Sequence, residues 1–319
     1  MLETLQFVQG AVSTKTAEPM LKHFQIQSGV VQAYNGVVGL RSPIDCDLDV
    51  RPLAAPFVNA IKLCKDTVTL HITDTGRLAV RSEDFRAYID TTENEFPDIR
   101  TGGEALALEG GVQECLRSLH ALMSDDASRP WSRGILFAKQ SAYATNNIIL
   151  AEHWLGYDVP QPFGLPTQCV NELLRIGEEP IALQTDGRTI TFTFEGDRVL
   201  TSNLIEISKW PDPSALLGDV KESSPVDASL FTTLDNLRPF LDDLRRVWLT
   251  PDGMVSTGAP ECEEGAHMLA TECAGMQGKY SADQLAKLGG IAQSVAWQDW
   301  PKPCAWYGDN IRGVIVGLA

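Results

Sequence analysis

A chain of 319 residues has room for two or three domains of roughly 100–150 residues each. Its composition, 44% apolar and 21% charged, is that of a soluble globular protein, and the absence of any run of 18 apolar residues excludes a transmembrane helix. A net charge of −16 excludes a generally basic nucleic-acid coat, though not a protein that confines its basic residues to one face.

Seven cysteines, an odd number with no CxxC pair, fit reduced thiols in a cytosol. The first residues lack a charged-then-apolar leader, so a cytoplasmic protein is expected.

Leu2 to Val12 reads as a short amphipathic helix with Leu5, Val8 and Val12 on one side. Strands follow at His23–Gln27, Val30–Tyr34 and Val37–Leu40, separated by Ser28-Gly29 and Asn35-Gly36 turns. Asp45–Val50 reads as one more strand. Pro56 suits a first helical position, and Phe57, Val58, Ile61 and Cys64 mark the inner face of that helix. Val68, Leu70 and Ile72 alternate, Asp74-Thr75-Gly76 turns, and Leu78 and Val80 alternate again. A strand-like stretch from Arg81 then stops at Phe96-Pro97-Asp98.

Leu106 and Leu108 open a second unit as a strand. From Gly111 a helix carries Val112, Cys115, Leu116, Leu119 and Leu122 at packed-face spacing. After a polar loop at Asp125 to Pro130, strands are expected at Ile135–Ala138, Ala142–Thr145 and Ile148–Ala151. Pro166-Thr167 starts a helix with Val170, Leu173 and Leu174 inward, ended by Gly177. Ile181 and Leu183 alternate, Asp186-Gly187 turns, and Ile190, Phe192 and Phe194 alternate. The exit is Trp210-Pro211-Asp212, like the first.

A third unit starts near Val226. Leu234, Leu237, Leu241 and Leu244 mark a helix that Pro239 must kink or end early. Val247–Leu249 and Met254–Thr257 form a hairpin about Asp252-Gly253. Ser281 with Gln284 reads as a capping box for a helix carrying Leu285 and Leu288 and stopped at Gly289-Gly290. Val295–Trp297 and Ile311–Val316 close the chain. Helix-then-hairpin thus recurs from Pro56, Thr167 and Ser281, at a spacing of about 110 residues, one small domain. An earlier helix accompanies each, at Leu2, Gly111 and Thr232. The fold class is α+β with three tandem copies of one unit, bounded at 1–103, 104–218 and 219–319.

With these elements in place the chain resembles the bacterial DNA sliding clamp, the beta subunit of DNA polymerase III, over nearly its whole length. The carriers are AYATNNIILAEHWLG (Ala142–Gly156), the stretch from LPTQCVNELL to SKWPDPSALL, and in the first unit KTAEPML and EFPDI. In the third unit the match rests on YSADQLAKL and GVIVGLA. The family's Ala-Thr-Asp-Gly turn is Ala144-Thr145-Asn146-Asn147 here, and the proline of its C-terminal tail is Gly317. The chain is shorter than bacterial relatives, mostly in loops, which is compatible with a bacteriophage clamp.

The resemblance implies the DNA-clamp fold, with helices lining a homodimeric ring and antiparallel sheets outside. It implies a processivity factor that encircles duplex DNA without reading it, needs no cofactor, and tethers a replicative polymerase and clamp loader through short peptide motifs. Lys15, Trp131 and Arg133 fall where the family touches DNA. Lys62, Lys65, Arg117, Arg175, Arg238 and Lys287 lie off the apolar faces of helices and complete the candidate DNA set. The partner-peptide pocket implied is Thr145, Ile148, Leu150, Pro211, Leu216, Val314, Val316 and Leu318. The subunit seam implied is Leu106, Leu108, Phe240 and Leu241.

A catalytic reading has little support. His23, His71, His120, His153 and His267 lie apart, outside any GxSxG or HExxH pattern. The spacing of Cys262, His267 and Cys273 fits no zinc template. Two readings remain beside the clamp: a clamp-fold module that captures partner peptides without encircling DNA, and an acidic hydrolase with an unrecognised site.

Overall fold

The computed structural model describes residues 1–319 apart from 98, 100, 101, 262, 263, 271, 272, 274 and 319. The Asp of the first Pro-Asp stop and Cys262 therefore lie outside the described residues. In chain order, α1 (Leu2–Gln9) precedes β1 (Gln25–Gln27), β2 (Val30–Tyr34) and β3 (Val38–Pro43). Then α2 (Ala54–Leu63) precedes β4 (Thr69–Ile72), β5 (Leu78–Ser82) and β6 (Phe85–Ile89). After β7 (Ala105–Ala107), α3 (Val112–His120) leads into β8 (Gly134–Ala138), β9 (Ser141–Thr145) and β10 (Ile149–Trp154). After β11 (Phe163–Pro166), α4 (Thr167–Ile176) leads into β12 (Ala182–Thr185), β13 (Thr189–Phe194) and β14 (Arg198–Asn203). Next come α5 (Pro213–Leu217) and β15 (Ser224–Pro225). Then α6 (Ala228–Leu237) precedes β16 (Arg246–Leu249), β17 (Met254–Ser256) and β18 (His267–Leu269). Last, β19 (Gly278–Ser281) and α7 (Ala282–Ala286) precede β20 (Ser294–Val295), β21 (Cys304–Gly308) and β22 (Ile311–Ile315). A helix followed by three strands thus occurs six times among the described residues, twice in each of three successive stretches.

Contacts gather the chain into two compact units, Met1–Gln113 with Gln168–Leu204, and Glu114–Thr167 with Ile205–Ala319. In the first, a seven-stranded sheet runs β1-β2-β3-β14-β13-β12-β7 and a second sheet runs β4-β5-β6. In the other, an eight-stranded sheet runs β11-β8-β9-β10-β22-β21-β20-β15, beside β18-β17-β16-β19. Both large sheets are joined by one rule. The third strand of one triplet pairs antiparallel with the third strand of another: β3 with β14 through Leu40 and Leu200, and β10 with β22 through Leu150 and Val314. The third strands of the remaining triplets, β6 and β18, are sheet edges.

Alternation builds these sheets. Ile190, Phe192 and Phe194 are buried on β13 while the intervening threonines are half-exposed. In the first unit α1 packs on α2 and on β2 and β3, and Phe24 meets Phe57 edge-on at 6.4 Å. The other unit is centred on Trp297, Trp306 and Tyr280, with Tyr280 edge-on to Trp297 at 5.6 Å.

Several expectations are corrected. Asp45–Val50 is not a strand: the Cys46 N–H turns back to the Ile44 carbonyl, and only Val50 bridges, to Ile26. α1 ends at Gln9, leaving Val12 beyond it. α2 begins at Ala54, so Pro56 lies inside its first turn, where no intrahelical N–H is needed. α6 ends at Leu237, because Pro239 has no N–H and its ring blocks the preceding turn. Arg238–Phe240 form a 3-10 turn, and Leu241 and Leu244 leave the helix. α7 stops at Ala286, before Leu288, and Trp297 sits in a 3-10 turn after β20. The capping box is half made: Ser281 Oγ accepts from the Gln284 N–H at a long 3.5 Å, and Gln284 Oε1 accepts instead from Asn146.

His153 lies on the inward face of β10, 3% exposed, with neither ring nitrogen hydrogen-bonded. Burial pushes its pKa down, and Glu114, 4.0 Å away, offsets this only in part. The folded chain therefore binds this proton less readily than the unfolded chain. Stability is expected to be intact above about pH 6.5 and to fall below it. His153→Leu should lessen the drop in urea midpoint between pH 7 and 5.5; an unchanged drop would assign it to other groups.

Candidate partner groove and nucleic-acid interface

The second Pro-Asp exit does not stop a strand: β14 has already ended at Asn203, and the exit instead starts a helix. Asp212 accepts from the Ser214 N–H at 3.0 Å and caps α5, Pro213 fills its first position, and Gly218 ends it with φ 61°. α5 packs on both β10 and β22, at the seam of the eight-stranded sheet. Leu217 points into the core, whereas Leu216 is 52% exposed.

The side chains along the seam run in register, Leu150 among them buried. Leu150 faces Val314, and two residues further along Glu152 faces Arg312. Beyond Val314 the pairing continues through Ile149 with Ile315, and the Val316 N–H donates to the Ile148 carbonyl at 2.9 Å. Pro211 and Ile148 are half-buried and Val316 is exposed. The buried Thr145 donates to the Ile149 carbonyl at 2.7 Å, which orders the turn instead of offering a free hydroxyl. In that turn Asn147 takes φ 73°, which asparagine tolerates, and Asn146 Oδ1 accepts from the Ile148 and Ile149 amides. Asn146 Nδ2 also donates to Gln284 Oε1 at 2.6 Å, tying the turn to α7. Asn-Asn is legible in sequence as a turn; its bond to Gln284, 138 residues away, is not.

The tail beyond β22 is held. The Leu318 N–H donates to the Lys279 carbonyl at 2.7 Å, and Trp300 Nε1 donates to the Leu318 carbonyl at 3.3 Å. Gly317 lies on the indole of Trp300, where a Cβ would fall 2.6 Å from Cδ1. Glycine at this position thus permits a close approach that any side chain would obstruct.

The polar end of the seam is an ion-pair clasp. Arg312 Nε donates to Glu152 at 2.6 Å and the Tyr143 hydroxyl donates to its other oxygen at 2.8 Å. Burial opposes the Glu152 charge, but these donors outweigh it and hold its pKa below the usual range. Burial and the Glu152 carboxylate together push Tyr143 up to about 12. Trp154 is exposed beside this clasp, on a cavity of about 390 Å³ that Tyr307 and Arg312 also line.

The basic candidates divide. Lys15, Lys62, Lys65, Arg117 and Arg133 are exposed, with no ion-pair partner among the described residues. Lys62 is in the last turn of α2 and Arg117 on the outward face of α3. Arg175 is committed elsewhere: its guanidinium pairs with Glu172 and donates to the Phe7 carbonyl at 2.7 Å. Arg238 lies past the end of α6, within 3.4 Å of Asp235. Lys287 caps the C-terminus of α7. The Trp131 ring packs edge-on to Trp210 at 5.3 Å, a packing role within its unit.

At the expected seam, Leu106 sits on β7, opposite Leu183 of β12, and the Leu108 N–H donates to the Ile181 carbonyl. Both are thus engaged within their own sheet, whereas Phe240 is exposed. The two free third strands carry exposed apolar groups: Tyr88 (51%) on β6 and Leu269 (48%) on β18. Among the described residues no three His, Cys, Asp or Glu side chains gather as a metal site. His267 pairs with Ser256 Oγ at 2.7 Å, and Cys273 lies against Asp227 and Ser229.

The chain has the fold of the bacterial DNA sliding clamps. The DNA polymerase III subunit beta of Pseudomonas aeruginosa superposes with a TM-score of 0.84 at 18% identity, over 99% of this chain and 97% of that one. The DNA polymerase sliding clamp of Bacillus subtilis gives 0.83 at 16% identity, over 100% and 96%. The beta subunit from the DNA polymerase of Streptococcus pyogenes gives 0.78 at 16%, over 99% and 97%. No protein-family model and no curated protein sequence matches the chain.

Proposed function

We propose that the protein is a sliding clamp: a non-enzymatic, cytoplasmic processivity factor that encircles duplex DNA and tethers a replicative polymerase and a clamp loader. The observation that carries this reading is the third-strand rule. Two of the three possible third-strand seams are made inside one chain, by β3 with β14 and β10 with β22. The remaining third strands, β6 and β18, cannot be satisfied by each other without a second copy if the chain is an arc. Two chains joined head to tail, β6 of one to β18 of the other, close a ring of six half-sheet seams. The full-length likeness to sliding clamps supports the same arrangement. In this reading the repeats are 1–103, 104–218 and 219–319, the helices line the hole, and the seam lies at Tyr88 and Leu269 with Phe240 and Leu241 nearby, rather than at Leu106 and Leu108.

Enclosure needs only weak, sequence-blind phosphate contacts. Lys15, Lys62, Lys65, Arg117 and Arg133 have the free charge to supply them, and the acidic remainder of the chain repels DNA from other surfaces. The groove of Ile148, Leu150, Pro211, Leu216, Val314, Val316 and Leu318 accepts a short peptide with Leu or Phe anchors. The test is retention on DNA. The protein, once loaded, should remain on a closed circle and run off when the circle is linearised; equal retention on both would sink the proposal.

Replacing Lys62, Lys65 and Arg117 together by alanine should slow loading while leaving the ring's mass unchanged. The log–log salt slope of DNA binding should shrink by about 0.9 for each phosphate that is no longer neutralised. Unchanged loading and slope would remove these residues from the channel.

A further inference from the structure

The six triplets of strands have a second regularity, at their first strands. Five have the outer edge of the first strand covered by a short antiparallel segment: β8 by β11, β12 by β7, β16 by β19, β20 by β15, and β1 by Val50 to Leu53. The coverings commonly place an apolar residue opposite a buried one, as Leu106 opposite Leu183, Leu165 opposite Ile135 and Tyr280 opposite Val247. β4 is the sixth first strand. Among the described residues it pairs with β5 alone.

The register identifies what β4 presents. The Thr73 N–H bonds to the Arg77 carbonyl, so hydrogen-bonded pairs alternate from there to His71 with Ala79 and Thr69 with Arg81. Leu70 and Ile72 fall between them and turn their N–H and C=O groups outward. The same residues lie opposite the buried Val80 and Leu78, on the core side of the sheet, yet Ile72 is 42% exposed. An apolar stripe left uncovered at a row of free peptide groups is a strand-addition seat.

We propose that the β4 edge binds an extended segment of a partner protein, which pairs antiparallel with Thr69–Ile72 and sets an apolar residue at every second position against Leu70 and Ile72. The chain's own coverings fix the chemistry of the occupant: β7 and β15 are two or three residues long, antiparallel, and need no side-chain charge. Two residues' worth of outward peptide groups suit an arm of that length. Within its sheet the seat is the edge opposite β6, so pairing at one edge leaves the other open.

The test uses the full chain and a labelled synthetic peptide with the sequence of residues 104–109, EALALE, which repeats the β7 covering. Saturable binding is expected, with amide exchange at Leu70 and Ile72 slowed about tenfold or more and that at Thr69 and His71 little changed. Ile72→Pro removes an outward N–H, so the hairpin with β5 is retained while strand addition is blocked, and binding should weaken at least about tenfold. Ile72→Lys keeps every backbone group and should weaken binding by removing the apolar wall; it decides the matter should the proline variant unfold. The proposal is overturned by unslowed exchange at saturating peptide. It is equally overturned by binding that both variants leave intact, or by protection of Leu70 and Ile72 that rises with protein concentration alone, which would assign the edge to a second copy.

Discussion

Tyr88→Pro is expected to yield a folded single chain, and the unaltered protein is expected to sediment at twice that mass. Leu78, Val80 and Ser82 of β5 bond to β6, so the N–H groups of Arg86 and Tyr88 point away from the sheet. Proline at position 88 deletes one of them, and its ring bars a neighbouring strand, without breaking the bonds between β5 and β6. On the other free edge, Thr257 and Ala270 bond across to Ala266 and Gly253, which leaves His267 and Leu269 facing outward. Leu269→Pro should therefore have the same result. Removing one strand pairing and its apolar cover should raise the dissociation midpoint at least about a hundredfold, near 2.8 kcal/mol. The readouts are sedimentation across micromolar concentrations and retention on circular DNA. A dimer that survives both substitutions would place the seam elsewhere and remove the main support for ring closure.

The second large effect is expected at the groove. Leu216→Glu with Leu318→Glu should abolish polymerase stimulation while the sedimenting mass is unchanged. Leu216 is the exposed leucine of α5, and Leu318 is half-buried and held by backbone bonds, so neither charge has to enter the fully buried core. A peptide anchor deprived of two apolar walls forfeits about 1.5–3 kcal/mol at each, enough to weaken binding a hundredfold or more. Leu217→Glu is the informative contrast: that side chain is buried, and the variant should lose stability before it loses selectivity. Full stimulation by the Leu216 and Leu318 double variant would refute the groove.

Much of this architecture is readable from local chemistry. Asn35-Gly36 announces a hairpin, and Asn35 Oδ1 accepts from the Val37 and Val38 amides as such a turn requires. The alternation of Ile190, Phe192 and Phe194 identifies β13, and Gly177, at φ 72°, ends α4 as read. What escapes is long-range. β21 has Trp306 and Cys304 in its interior, yet CAWYG alternates poorly and follows a proline-rich stretch, so no period marks it. The β3–β14 and β10–β22 pairings join segments about 160 residues apart, and no local pattern encodes which edges meet. Hence Leu150 and Val314 are named as candidates from sequence without the pairing that sets them opposite each other, and the seam is expected at Leu106, which its own sheet already engages. Charge is legible as residue type but not as availability: Arg175 and Lys62 look alike in sequence, and only the fold reveals that Glu172 and the Phe7 carbonyl occupy one of them.

In the proposed division into three repeats each large sheet is stitched from halves of neighbouring ones, so the covalent repeat and the cooperative block do not coincide. Excising 104–218 would take β14 from β3 and β10 from β22, baring two raw edges. Cleavage in the chain between repeats should therefore leave fragments that still cling together, and the middle repeat should be the least tolerant of being exchanged for another.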